Sequence, residues 1–323
     1  MKQLTGSPPA ALSAAELDNR QFGATDWLLF FGIALIWGSS FLLIAMGLDS
    51  LTAGMITFLR VGFGAITLWM VRVFRVASGK RPVSAVSFGG DPILAGDWPR
   101  IVFVSIIWVA VPFTLFPLAQ QHINSAITGL LNGATPIFVA IVSVMMTRVL
   151  PSGRQTIGIA VGFVGLVLLS LPSIGDGQSQ AKGVAMVLAA TVCYGIAMNL
   201  AAPLQRKYGA VTLMSWVLGL ATVTLVPVGT RNFGQNSWDL GSVVPVLALG
   251  VVGTGSAYWI MSTLVGRVGS IRASLITYLI PVVSLTLGVL IRSDEVAPLA
   301  LVGAVLITGG AVLASRRTYS RLP

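Results

Sequence analysis

Charged and redox-active side chains are scarce in this chain. Only 9% of its 323 residues are Asp, Glu, Lys or Arg, against about 25% in an average soluble protein, whereas 55% are hydrophobic. The single cysteine, Cys193, excludes an internal disulfide and a cysteine-based metal cluster, and there is one histidine. We therefore expect no metal, no cofactor and no redox chemistry, and a solvent other than water around much of the chain.

Acidic residues are absent from the interior of every predicted membrane span. Proton-driven transporters commonly carry Asp, Glu or His there, so a conventional proton relay is not expected. Asp49, just after the first span, and His122, at the outer end of the third, remain candidates for proton coupling. A cationic drug would find no counter-charge, and a membrane-embedded enzyme would need clustered acids, histidines or cysteines. The chain is therefore not predicted to be an enzyme.

Long apolar runs fill most of the sequence. Each is about 18 to 23 residues long, enough for a helix to cross a hydrocarbon core of about 30 Å. The predicted spans 1 to 10 are residues 27–46, 52–74, 98–118, 125–146, 154–173, 183–203, 210–229, 243–263, 270–291 and 298–315. The pattern predicts an all-α, polytopic membrane protein with a disordered cytoplasmic N-terminus at 1–26 and a cytoplasmic tail at 316–323.

Basic residues account for the net charge of +10 by where they fall. With a cytoplasmic N-terminus, 16 of the 20 Lys and Arg residues lie in cytoplasmic segments, 3 in outer loops and 1, Arg60, inside a span. This bias follows the positive-inside rule. It predicts a multi-pass protein of the cytoplasmic (inner) cell membrane with both termini in the cytoplasm, and a bilayer rather than a nucleic acid as the partner.

The two halves of the chain repeat each other at an offset of 145 residues. That offset places Ser125 on Ser270, Pro136 on Pro281 and Gly165 on Gly310, among other matches. Each half contains five spans, an odd number, so the second half must enter the membrane upside down. Inverted repeats of this kind are typical of secondary transporters. The sequence therefore predicts a 5+5 inverted repeat and favours transport.

Several runs also resemble a known family. They are Trp37-Gly-Ser-Ser-Phe41 and Leu59-Arg60 in the first half, and Gly253-Thr-Gly-Ser-Ala-Tyr258, the stretch from Gly269 to Pro281 and the stretch from Leu301 to Gly309 in the second. By these runs the chain resembles the EamA family of the drug/metabolite transporter superfamily. The resemblance implies two EamA-like repeats, 27–173 and 183–315, in an exporter of small metabolites, often amino acids. Thr147-Arg148 replaces the family's Gly-Glu pair after span 4, so no role of that glutamate carries over.

Mid-span residues supply the candidate site. Pro136 and Pro281 are expected to kink spans 4 and 9 symmetrically, which would free backbone carbonyls beside a central cavity. Arg60 is expected either to bind a substrate carboxylate or to snorkel to the outer interface. The candidate cavity residues are Trp37, Ser39, Ser40, Arg60, Trp108, Asn132, Thr135, Tyr194, Asn199, Tyr258, Trp259, Thr277 and Tyr278.

The leading hypothesis is alternating access by a secondary transporter, an exporter of a small neutral or zwitterionic metabolite such as an amino acid. The site would be bordered by spans 1, 2, 3, 4, 6, 8 and 9. A proton-coupled drug efflux pump is the main alternative, followed by a channel and a membrane-embedded enzyme. Glycines in spans 5 and 10 indicate close helix packing, either within one chain or between two, so both a monomer and a homodimer remain open.

Overall fold

The computed structural model describes residues 22–77, 93–148, 151–175 and 177–315, and these residues are almost entirely helical. The predicted tail at 316–323 and most of the predicted lead-in lie outside the described residues. Within the described ranges, nine helical stretches are long and apolar enough to cross a bilayer, and Pro298–Ala314 is a shorter apolar helix. The all-α, polytopic prediction is confirmed.

Six spans are continuous helices and four are built from shorter pieces. The continuous ones are span 1 (Ala24–Leu48), span 2 (Ala53–Ala77), span 5 (Gly153–Gly175), span 6 (Gln178–Tyr208), span 7 (Ala210–Thr230) and span 10 (Pro298–Ser315). The composite ones are span 3 (Trp98–Ser105, Ile106–Ala110, Val111–Gln120), span 4 (Ser125–Asn132, Thr135–Thr147), span 8 (Leu240–Gly250, Val251–Ser256, Ala257–Val268) and span 9 (Ser270–Ser274, Leu275–Tyr278, Ile280–Arg292).

Large apolar side chains cover the outside of the bundle. Leu28, Met70, Leu290 and Val305 are exposed by 66 to 76%, and similar residues occur on the other spans. Soluble proteins rarely expose such extensive apolar surface, whereas a bilayer covers it. The exterior therefore has the chemistry of a lipid-facing surface.

Several helices extend beyond the predicted spans, and in spans 1 and 6 the added ends contain polar residues. Span 1 begins at Ala24 rather than residue 27, so residues 24–26 are helical and not part of a disordered lead-in. The Asp26 carboxylate accepts a hydrogen bond from the Gly23 N–H, 3.0 Å away, and caps this end. Span 6 covers 31 residues and includes Lys182 and Arg206. A hydropathy window cannot detect helical ends of this kind.

The predicted repeat is visible in the irregular geometry of the helices. Spans 3 and 8 each contain a π-helical segment, at Ile106–Ala110 and Val251–Ser256, and these begin 145 residues apart. Spans 4 and 9 each end in a left-handed residue that is not glycine, Arg148 at φ 56° and Ser293 at φ 55°, again 145 residues apart. The two halves therefore share backbone irregularities as well as sequence.

The α-helical hydrogen bonding is interrupted close to Pro136 and Pro281, where the sequence predicts kinks, and we call these two interruptions the breaks of spans 4 and 9. Span 4 stops at Asn132 and restarts at Thr135, with Pro136 in the first turn of the new helix. Span 9 changes to a 3₁₀ helix before Pro281, which likewise lies in a first turn. A first turn tolerates proline because its N–H groups lack helical partners. The two breaks also touch, since a Cβ on Gly133 would lie 2.8 Å from Cγ of Pro281.

The packing of the spans does not follow the boundary between the repeats. Span 1, from the first half, packs mainly on spans 8 and 9 of the second half. Span 6, from the second half, packs mainly on spans 3 and 4, and also contacts span 5. Spans 2 and 7 pack together, as do spans 5 and 10. The first helix of each half therefore packs mainly against the other half.

Ion pairs tie span 1 to the second half at both ends of the bundle, which we name the Asp26 end and the Asp49 end. Asp26 is 1% exposed and accepts a hydrogen bond from Nε of Arg267, at the end of span 8. Asp49 forms two hydrogen bonds, of 2.8 and 3.0 Å, with Arg292 at the end of span 9. The second pair is far more exposed than the first.

Glycines allow the backbones of spans 5 and 10 to touch. A Cβ on Gly310 would lie 2.4 Å from the Gly162 nitrogen, and one on Gly165 would lie 2.6 Å from the Gly303 oxygen. Small residues at such crossings are the usual means of close packing in membranes. In this structure they serve an interface within one chain.

Gly310→Ala is expected to destabilise the protein by about 1 to 3 kcal/mol, because the new methyl group overpacks the contact between spans 5 and 10. The thermal midpoint of the purified protein in detergent measures this. Gly309→Ala is the matched control, since a Cβ there meets nothing within 4 Å. Equal midpoints for the two variants would contradict the packing of spans 5 and 10.

Asp26→Asn is expected to lower stability by about 2 kcal/mol, because it removes a charged hydrogen bond that is buried on one side. Asp49→Asn, in the exposed pair, is expected to cost less than about 1 kcal/mol. Thermal unfolding of both variants in the same detergent compares them. A larger loss for Asp49→Asn would show that the Asp49 end holds the bundle together more firmly.

Candidate functional site

A cavity of about 180 Å³ lies where the breaks of spans 4 and 9 meet the other central helices. Seven spans contribute to its wall: 1, 2, 3, 4, 6, 8 and 9, the set expected from the sequence. The lining residues are Trp37, Ser40, Phe41, Arg60, Trp108, Phe113, Phe116, Asn132, Thr135, Tyr194, Met198, Tyr258, Thr277 and Ile280. None of these described residues is acidic.

Arg60 is the one charged side chain in the wall. It is 8% exposed and faces the cavity rather than the lipid surface, so the snorkelling alternative does not describe its position. Its Nε donates to the Thr254 hydroxyl at 3.2 Å, and its guanidinium carbon lies 3.8 Å from the centre of the Phe113 ring. Arg60 has no ion pair with any described residue. Its charge is thus held by one neutral hydrogen bond and one aromatic face.

Aromatic rings form the apolar part of the wall. Trp37 and Tyr258 meet edge to face with centroids 6.1 Å apart, which links span 1 to span 8. Phe116 packs edge to face on Phe41 at 5.5 Å and lies 6.0 Å from Tyr194. Such pairs hold each ring in place. A ligand would therefore meet a largely preformed, apolar surface opposite Arg60.

The break in span 4 supplies polar groups to the same cavity. The Thr135 hydroxyl donates to the Asn132 backbone oxygen at 2.7 Å and lies 3.3 Å from its side-chain oxygen. Across the cavity, Thr277 lies in the 3₁₀ segment of span 9. Backbone that leaves the helical pattern at membrane depth is tolerated where it borders a cavity. The breaks thus place the side chains of Asn132, Thr135 and Thr277 in the cavity wall.

The π-helical segments position two further features of the site. Trp108 lies within Ile106–Ala110, and Thr254, the partner of Arg60, lies within Val251–Ser256. The Thr254 hydroxyl donates to the Leu249 oxygen, five residues earlier, at 3.0 Å. That bond leaves its lone pairs available to Arg60. Wide helical turns are frequent at functional sites, and here one contributes Trp108 to the cavity wall and the other holds Arg60.

Four predicted residues do not line the cavity. Ser39 bonds to the Ile36 oxygen of its own helix, and Asn199 bonds to the oxygens of Gly195 and Val139. The Tyr278 hydroxyl donates to the Ala311 oxygen on span 10 at 3.0 Å. Trp259 packs in the cluster around span 7, and its buried N–H has no partner among the described residues. These side chains support neighbouring helices instead.

The two candidates for proton coupling lie apart from the cavity wall. Asp49 is paired with Arg292 at the Asp49 end. Nδ1 of His122 lies 2.8 Å from the Ser179 hydroxyl, which joins the ends of spans 3 and 6. The burial of Asp26 was not predicted, because a carboxylate at the edge of a span ordinarily lies in water.

Five lining residues were missed by reasoning from sequence. They are Phe41, Phe113, Phe116, Met198 and Ile280. Phe41 follows Trp37 by four residues, a spacing that places both on one helical face, so it could have been found. The others resemble ordinary lipid-facing or core residues, and nothing local distinguishes them.

Both halves of the chain are similar to known transporters. The model of the EamA-like transporter family matches residues 26–171 and 181–316. A transporter of Archaeoglobus fulgidus is 26% identical over 90% of this chain and 99% of its own length. A probable terminal-alkyne amino-acid exporter of Streptantibioticus cattleyicolor is 24% identical, covering 91% and 94%, and a probable amino-acid metabolite efflux pump of Escherichia coli is 24% identical, covering 88% and 93%.

A solved crystal structure shares the fold. It aligns with a TM-score of 0.60 at 19% identity and covers 90% of this chain and 97% of the other. The family match extends over both five-span halves and includes all of the residues that line the cavity. This chain therefore belongs to the EamA-like transporter family and is a membrane transporter.

Proposed function

We propose that this transporter exports a small neutral or zwitterionic metabolite, such as an amino acid, across the cytoplasmic membrane by alternating access. The observation that carries the proposal is the position of Arg60, a buried cation without an acidic partner among the described residues, in the wall of a central cavity. The names of two relatives, an amino-acid exporter and an amino-acid metabolite efflux pump, support the substrate class.

Arg60 favours a substrate that carries a carboxylate. A charged residue near the bilayer centre costs about 2.5 to 3.5 kcal/mol on insertion scales. A carboxylate bound beside the guanidinium would offset that cost with charge-assisted hydrogen bonds. The same wall has no acidic residue for a permanently cationic drug. Trp37, Tyr258 and Phe116 would contact the apolar part of the molecule and exclude water from the ion pair.

The broken helices support binding at the cavity. The second pieces of spans 4 and 9, Thr135–Thr147 and Ile280–Arg292, both begin at the breaks. The positive ends of the dipoles of these two pieces favour a negative group nearby. The N-terminal ends of these two helical pieces and Arg60 therefore all favour the carboxylate of a zwitterion.

Orientation in the membrane rests on the distribution of basic residues. Of the 20 Lys and Arg residues, 16 would lie on the side of the Asp26 end and 3 on the side of the Asp49 end. The positive-inside rule then places the Asp26 end and both termini in the cytoplasm. Alternating access would open and close these two ends in turn around the cavity.

Arg60→Gln is expected to reduce saturable counterflow of labelled leucine in liposomes by about 10- to 100-fold, the loss of one charge-assisted interaction. Leucinamide, which lacks the carboxylate, would be transported poorly by the unmodified protein. The Arg60→Gln variant would transport leucinamide about as poorly as the unmodified protein does. Arg154→Gln is the control, since Arg154 is exposed at the start of span 5. Equal discrimination between leucine and leucinamide in both variants would rule out Arg60 as the carboxylate partner.

The energy source is tested in the same liposomes by imposing a proton gradient. We expect the rate of counterflow to be the same with and without the gradient, because the cavity wall has no acidic residue. Accumulation driven by the gradient would favour the proton-coupled alternative and direct attention to Asp49 and His122. Flux that rises in proportion to concentration over a wide range would favour a channel.

Asn132→Cys and Thr277→Cys, each made in a Cys193→Ala background, are expected to react more slowly with a maleimide when substrate is present. Both residues line the cavity, so a bound molecule would cover them. Ser237→Cys, in an exposed loop, serves as the control and should react equally with and without substrate. Unchanged labelling of both cavity positions from either side of the membrane would contradict a central site.

A further inference from the structure

An apolar groove runs along the outside of the bundle between spans 2 and 7. Its volume is about 870 Å³, far larger than the central cavity. The groove is wide where two glycines, Gly62 on span 2 and Gly219 on span 7, present no side chain. Ile66, Met70 and Val223 on its rim are more than half exposed. In a membrane this groove opens directly to lipid.

One end of the groove carries a cluster of tryptophans and an arginine. Trp69 lies 5.1 Å from Trp216, which lies 5.0 Å from Trp98, both edge to face. The Trp69 indole donates to the Ser215 oxygen at 3.1 Å, which fixes the ring. The guanidinium of Arg72 is 4.9 Å from the centre of that ring. Tryptophan and arginine together are typical of the depth at which lipid headgroups lie.

Arg72 is held without a negative partner. One of its terminal guanidinium nitrogens is buried and donates no hydrogen bond to any described residue, and Arg72 belongs to none of the ion pairs in the described ranges. By contrast, Arg267, Arg292 and Lys207 each meet a carboxylate. A positive group fixed against an indole and lacking a counter-charge is complementary to a phosphate.

The groove is long enough to cross one leaflet of a bilayer. From Phe74 to Phe58, the lining residues of span 2 that lie farthest apart in sequence, the helix rises by about 24 Å at about 1.5 Å per residue. Half of a hydrocarbon core of about 30 Å is roughly 15 Å. An acyl chain whose phosphate lay beside Arg72 would therefore extend along the groove to the middle of the membrane.

We propose that this groove binds an anionic phospholipid, with its acyl chain between spans 2 and 7 and its phosphate and acidic headgroup beside Arg72. The lipid fills the space left by the two glycines and neutralises the arginine. In the orientation proposed above, Arg72 lies at the cytoplasmic leaflet, where anionic lipids attract basic residues. The lipid also bridges one helix from each half of the chain.

Native mass spectrometry of the purified full chain tests the site with two defined lipids, palmitoyl-oleoyl phosphatidylglycerol and the matching phosphatidylcholine. The unmodified protein is expected to bind phosphatidylglycerol about fivefold more tightly, as one arginine at a charged surface contributes ~1 kcal/mol. Arg72→Gln is expected to remove that preference and leave phosphatidylcholine binding unchanged. Arg154→Gln, an exposed arginine on span 5, should keep the preference.

Gly219→Phe supplies an independent test that leaves Arg72 intact. A Cβ at Gly219 lies 3.7 Å from Nε1 of Trp69, an ordinary contact, so the ring can extend into the groove without disturbing the helix. Binding of both lipids is expected to fall. Undiminished lipid binding in this variant, or a retained preference in Arg72→Gln, would overturn the proposal. A dimer that Gly219→Phe dissociates would show that a second copy of the chain fills the groove instead.

Discussion

The absence of water from the hydrocarbon core is the constraint on which this structure depends. Every backbone N–H and C=O at that depth needs a partner within the protein, and helices provide one along almost all of the described residues. The α-helical pattern changes to tighter turns at residues 133–134 and 275–279, where spans 4 and 9 meet in the centre of the bundle. Irregular backbone is thus confined to the region where it can contact a ligand rather than lipid.

The same constraint gives Arg60 its significance. At the two ends of the bundle, the carboxylates of span 1 meet arginines: Asp26 pairs with Arg267 and Asp49 with Arg292. Arg60 instead meets a threonine hydroxyl, a phenylalanine face and open cavity. A buried charge without a counter-ion in the protein is expected in a transporter whose substrate supplies the opposite charge. In our proposal, that charge is the carboxylate of the substrate.

Much of the fold was predictable because hydropathy and charge report directly on the bilayer. The spans, the 145-residue offset and the helices around the cavity all follow from such patterns. The orientation of neighbouring side chains was harder to predict. Ser40, Tyr258 and Thr277 line the cavity, whereas the adjacent Ser39, Trp259 and Tyr278 do not, since one residue turns a helix by roughly a quarter.

Contacts between distant spans left no local signal at all. The touching breaks at Gly133 and Pro281, and the burial of Asp26 by Arg267, depend on residues more than a hundred positions apart. A proline in sequence shows only that one N–H is missing. Whether the helix bends or stops there is decided by what packs against it.

The exchange of spans 1 and 6 between the halves has a consequence for how the chain is made. Span 1 is synthesised first, yet the surfaces that bury it belong to spans 8 and 9, near the C-terminus. The ion-pair partners of Asp26 and Asp49, which are Arg267 and Arg292, are also synthesised later. The first repeat cannot complete its own packing while the ribosome is still producing the second. Assembly in the membrane is therefore completed only by the whole polypeptide, and a half-length product would leave most of the packing surface of span 1 exposed.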